Sequence, residues 1–166
     1  MCIRDRNEAG CDSLNPHHCM LPFPSDAYLV EDGSTQTGFR VNIPSGIIPA
    51  SGSTDPVEIP RINQIDGMST ATQIMTTFDS VPDLADVAYQ YNIERSLELD
   101  HPTIIWNVDD NHAVAHWVEL DARAQPGEQT ILHLRTAAAL EHDTRYVIVI
   151  HGLTDSMGDE IQPSQA

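Results

Sequence analysis

His112-Ala113-Val114-Ala115-His116 carries two imidazoles at the i,i+4 spacing of a paired metal site. On a helix the two rings would share a face about 6 Å apart and could grip one zinc ion. On a strand they would still share a face, but about 13 Å apart, too far for a common ion. The Asp109-Asp110-Asn111 turn and the apolar alternation after it favour the strand, and alanine stands where a zinc protease would carry its glutamate base. Cys11 and Cys19 bracket His17 and His18. Three states are open to them: a disulfide stapling a proline-rich segment, reduced thiols, or a soft-metal site with Cys and His ligands. The disulfide is the commoner state outside the cytosol, and closing so small a loop removes about 2.5 kcal/mol of unfolded-state entropy. Glu31-Asp32, Asp109-Asp110 and the run from Asp155 to Glu160 could offer oxygens to calcium, but none has the spaced EF-hand pattern. Solvated turns are the expectation there. Trp106 and Trp117 could stack on sugars if exposed in a row, yet each lies inside a strand-like apolar pattern that suits a core. The chain is expected to hold no metal and no cofactor.

Val147-Ile148-Val149-Ile150-His151-Gly152 is an apolar run that ends in His-Gly. Backbone N–H groups at such a strand end can stabilise a tetrahedral oxyanion, and the run resembles the oxyanion strand of α/β-hydrolases. That chemistry needs a G-x-S-x-G nucleophile elbow, a pentapeptide that occurs nowhere in the 166 residues. No helical crossover pattern flanks the run either. No catalytic residue is therefore expected, with His151 and Gly152 as an oxyanion pair the alternative.

The cationic residues are eight arginines, and there is no lysine. Schiff-base chemistry, a lysine general base and a P-loop lysine are excluded together. Against 25 acidic residues they leave a net charge of −17. Such a chain repels phosphate, so nucleic acid is not an expected partner, and an anionic membrane surface is disfavoured for the same reason. No apolar run approaches the roughly 18 to 20 residues of a membrane-spanning helix. The hydrophobic share of 40% is too high for a disordered chain.

The elements that would position these residues fall into two halves. Residues 11–69 are broken by Asn15-Pro16, Leu21-Pro22-Phe23-Pro24, Ile43-Pro44, Asp55-Pro56 and Ile59-Pro60. Each proline fixes φ and bars the preceding residue from helix, so no long helix forms there. Short strands fit 27–30 and 38–43. The stretch reads as an extended arm without a core of its own, expected to dock Leu21, Phe23, Tyr28 and Phe39 on the following domain. From residue 70 to 162, spaced apolar runs predict strands at 73–78, 103–108, 114–120, 129–134 and 145–151. Helical stretches fit 83–88 and 94–99. Strands at this spacing indicate a mainly β chain folded as an antiparallel sandwich.

Two resemblances sharpen this. Leu140-Glu141-His142-Asp143-Thr144-Arg145-Tyr146-Val147-Ile148-Val149-Ile150-His151-Gly152-Leu153-Thr154-Asp155-Ser156-Met157-Gly158 resembles the last hairpin of bacterial Ig-like domains. Leu21-Pro22-Phe23-Pro24-Ser25-Asp26, Gly38-Phe39-Arg40-Val41-Asn42-Ile43-Pro44 and Asn63-Gln64-Ile65-Asp66-Gly67-Met68-Ser69 resemble the amino-terminal region of bacterial extracellular lipase-like proteins. These resemblances imply an Ig-like β-sandwich with an extended N-terminal arm. They also imply an extracellular or cell-surface setting, and a downstream domain of the same chain as partner. The function implied is a non-catalytic accessory module, and none of that family's catalytic residues falls in this region. Met1-Cys2-Ile3-Arg4-Asp5-Arg6 resembles translated sequencing-adapter read-through, so residues 1–10 are expected to be artefact or disordered. Residues 163–166 read as the start of a truncated linker.

Overall fold

A computed structural model describes residues 10–15, 18–48, 57–124 and 129–162. The expectations for the first nine residues, for His17 and for residues 163–166 lie outside these. Two compact units divide between residues 69 and 70.

In the first unit a hairpin joins β1 (Leu29–Glu31) to β2 (Phe39–Val41), antiparallel, with Val30 opposite Arg40. Its loop closes because Asp32 N–H donates to the Gly38 carbonyl at 2.8 Å, and Gly38 takes a φ of 76° that only glycine adopts at no steric cost. A single helical turn, α1 (Ile59–Ile62), starts on the proline at its second position. The arm does have a core. Cys11, Tyr28, Val41, Ile43 and Ile47 are buried together, with Met20, Leu29, Ile59 and Ile62 packed on them. The apolar residues are too scattered in sequence to announce this cluster, and prolines fold the chain back often enough to gather them. Phe39, expected as a docking residue, is 42% exposed.

Side chains hold this unit where sheet does not. Asn63 copies a strand partner, its Oδ1 accepting from Ile43 N–H at 2.9 Å and its Nδ2 donating to Ile43 C=O at 3.0 Å. Arg40 reaches both Asp32 and the Gln64 carbonyl, at 2.6 Å each. Ser34 and Arg40 together hold the Asp32 carboxyl well below the usual carboxylate range.

The second unit is a mainly β sandwich. One antiparallel sheet has the order β3 (Ile74–Thr77), β7 (Ile131–Thr136), β6 (His116–Leu120). The other runs β5 (His112–Ala113), β4 (Thr103–Asn107), β8 (Tyr146–Ile150). Alternation sends one face of each strand inward. Ile74, Val118, Leu132 and Leu134 from the first sheet and Ile105 from the second are buried together, with Val87 and Leu153 from the connections. Burying each such side chain is worth about 1.5–3 kcal/mol.

The strand expected over 114–120 forms as β6 from His116, and Val114 and Ala115 before it link β5 to β6 across the two sheets. Val114 N–H donates to Ile105 in the second sheet, while Ala115 C=O accepts from Ala137 beside the first, each at 2.8 Å. The chain therefore changes sheets between these residues. Of the expected helices, 83–88 is a turn tied to the far end of the unit by Asp83 N–H to Thr154 C=O at 2.8 Å. The other is a 3-10 turn over Ile93–Leu97. Among the described residues no helix is long and apolar enough to cross a membrane.

Candidate functional site

The sheet switch undoes the histidine pair that the spacing suggests. His112 stays on β5, exposed, while His116 opens β6 and is fully buried. His116 meets His101 instead, edge to face, with ring centroids 5.8 Å apart. Thr103 and Ser96 complete a polar group inside the sandwich, all four residues being buried.

Each proton in this group can be placed from its partner. His116 Nδ1 lies 2.9 Å from the Val114 carbonyl, which only accepts, so Nδ1 donates. Its Nε2 then accepts from the Thr103 hydroxyl at 2.9 Å. The His116 N–H donates to Ser96 Oγ at 2.9 Å, and that hydroxyl passes its own proton to Ile93 C=O at 2.7 Å. His101 Nε2 accepts from Ala88 N–H at 2.8 Å, and Nδ1 donates to Thr103 C=O at 2.6 Å. Every ring nitrogen is used, and with Nδ1 of His101 carrying its proton the Thr103 N–H, 3.2 Å away, faces a donor and cannot bond to it. Burial pushes the His116 imidazole below its ordinary value of 6.5, and the neighbouring His101 adds to the fall.

Nothing in the local sequence marks His101, Ser96 and Thr103 as a group. The pattern Thr103-Ile104-Ile105-Trp106-Asn107 does place Thr103 and Asn107 on the Ile105 face, and both are buried. What the pattern could not show is that a buried histidine from another strand waits opposite Thr103.

The remaining candidates have local work. Cys11 and Cys19 are joined as a disulfide with Cα atoms 4.6 Å apart. His151 N–H donates to the Pro102 carbonyl at 2.9 Å, continuing the β4–β8 ladder, so that amide is spent. Gly152 follows at a φ of 61°, turning the chain off the sheet, which gives the His-Gly pair a backbone reason. Asp155 Oδ1 accepts from Met157 and Asp159 N–H at 2.9 and 3.1 Å, tying the acidic run into a turn. Asp109 Oδ2 accepts from Arg145 N–H at 3.2 Å. Trp106 and Trp117 alternate with inward Ile105 and Val118, so they point from the outer faces of opposite sheets and form no row. The exposed aromatic pair is Tyr89 and Tyr91, rings tilted with centroids 5.3 Å apart. With Leu84, Ala85, Val87 and Asn92 they line an open hollow of about 320 Å³. Among the described residues no three His, Cys, Asp or Glu side chains converge as a metal site. No protein-family model, curated protein or solved structure matches the chain.

Proposed function

We propose that the chain is a non-catalytic accessory module of Ig-like type in a larger secreted or surface-attached bacterial protein of the lipase or esterase kind. Its work is positioning, packing against a neighbouring domain, or adhesion. The observation that carries this reading is the closed His101–Thr103–His116–Ser96 network. The side chains of Ser96, His101, Thr103 and His116 bond to one another and to the backbone, which is the behaviour of groups that hold a fold. A nucleophile and its base would instead meet at an accessible surface. The full chain is expected to hydrolyse p-nitrophenyl butyrate no faster than buffer does. Turnover above the buffer rate that is lost when the chain is unfolded in urea would overturn the reading.

The hollow beside Tyr89 and Tyr91 supports a second reading, a sandwich that binds carbohydrate. Tyr91 is 84% exposed, and its ring is free to stack on a sugar face. Tyr91→Ala is expected to leave stability within about 0.5 kcal/mol and to remove binding of a soluble β-glucan followed by calorimetry. If the unsubstituted chain binds none, the accessory reading stands alone.

A further inference from the structure

We infer that the edge of β8 left unpaired among the described residues is a docking site for an extended segment of another polypeptide, apolar at alternate positions and basic at its ends, which adds as a fourth strand to the β5-β4-β8 sheet. The ladder fixes which peptide groups are free. Arg145 C=O accepts from Val108 N–H at 3.0 Å, and His151 N–H donates to Pro102 C=O at 2.9 Å. In an antiparallel pair the bonding direction alternates residue by residue. The peptide groups of Val147 and Val149 therefore face β4, and those of Tyr146, Ile148 and Ile150 face away. Among the described residues β4 is paired on both sides and β8 on one.

Burial says the same. Tyr146, Ile148 and Ile150 point at the core, yet all three remain half-buried, whereas Thr103, Ile105 and Asn107 at the same level of β4 are buried. The difference is that no strand of the described residues lies beside β8. Val147 and Val149, on the outer face, are 41% and 38% exposed and offer β-branched partners to a strand alongside. Tyr146–Ile150 holds no lysine, no proline and no charge, three residue types that commonly protect a sheet edge.

Charge selects the occupant. Glu141 and Asp143 precede the strand, Asp109 sits at its start beside the single cation Arg145, and Asp155, Asp159 and Glu160 follow it, which leaves the strand's surroundings net acidic. Residues 70–163 carry 16 acidic residues against four arginines. A second copy would bring the same charge to the same edge, whereas a strand with basic ends is drawn to it. Backbone hydrogen bonds then supply affinity and the valine face supplies register, as in other strand-addition complexes.

The test is amide hydrogen exchange on the full chain with a synthetic peptide of alternating threonine and valine, capped at both ends by lysine pairs. Exchange at Tyr146, Ile148 and Ile150 is expected to slow at least about tenfold, with little change at Val147 and Val149. The effect should weaken on raising salt and vanish with Ile148→Pro, which removes an outward N–H while leaving the β4 ladder intact. Val149→Lys, at an exposed position, should lose the effect while keeping the tryptophan signal of the folded sandwich. No protection by the peptide, or equal protection by a glutamate-capped version, would overturn the proposal. So would protection of the same three amides without peptide in a species that sediments as a dimer, since the occupant is then a second copy.

Discussion

His116→Ala is expected to lower the stability of the sandwich by about 3 to 5 kcal/mol, through named groups left without partners. The ring is fully buried, so its removal opens a cavity between the sheets. It also strands the Thr103 hydroxyl and the Val114 carbonyl, each costing about 1–3 kcal/mol if no water reaches it. Urea unfolding followed by tryptophan fluorescence reads this directly, because Trp106 and Trp117 lie in the same unit as His116. A loss below about 1 kcal/mol would mean that the network is not what holds the sheets at this level.

The same residue sets a pH dependence whose sign follows from linkage. His116 in the fold takes a proton less readily than the ordinary histidine at 6.5, because burial disfavours the cation. In the unfolded chain it protonates at its ordinary value, so below pH 6.5 the unfolded state binds more protons. Its stabilising contribution is complete above that pH and is lost as pH falls from 6.5 toward the lower folded value. His133 is displaced in the same direction by burial and by Arg135. The acid slope of the urea midpoint should therefore shrink in His116→Ala and nearly vanish between pH 6.5 and 5 when His133→Ala is added. An unchanged slope would place the titrating groups elsewhere.

Tyr28→Ala is expected to cost the first unit about 3–5 kcal/mol. Tyr28 is its largest fully buried side chain, at the centre of the cluster with Cys11, Val41, Ile43 and Ile47. Its hydroxyl accepts from Asp12 N–H and Met20 N–H, both at 3.1 Å, the amides that directly follow the two bridged cysteines. One oxygen thus pins both ends of the small disulfide loop to the core. Tyr28→Phe keeps the ring and removes the oxygen, and its cost, about 1–3 kcal/mol, isolates that role. The unit contains no tryptophan, so the readout is hydrogen exchange at Asp12 and Met20. Unchanged protection of both amides in Tyr28→Phe would show that the loop is held without the hydroxyl.

Strand positions and the β class were legible because side-chain alternation is a local property. Thr103–Asn107, Ile131–Thr136 and Tyr146–Ile150 sit within two residues of the bounds that apolar alternation predicts. The proline spacing likewise excluded a long helix before residue 69, where the described residues form a three-residue 3-10 turn and a four-residue α turn. Which side chains meet across the sandwich is a long-range matter that no local period encodes. His112 and His116 are neighbours in sequence but belong to different sheets, because the ladder passes from β4 to β7 between Val114 and Ala115. His101 and His116 are distant in sequence and share a buried network, because the packing of the two sheets puts Thr103 between them. The sequence by itself determined the alternation, the acidic charge and the arginine-only cation set. Tertiary packing alone decided which polar groups are sealed in, that the proline-rich arm has a core, and that β8 is paired on one side only among the described residues.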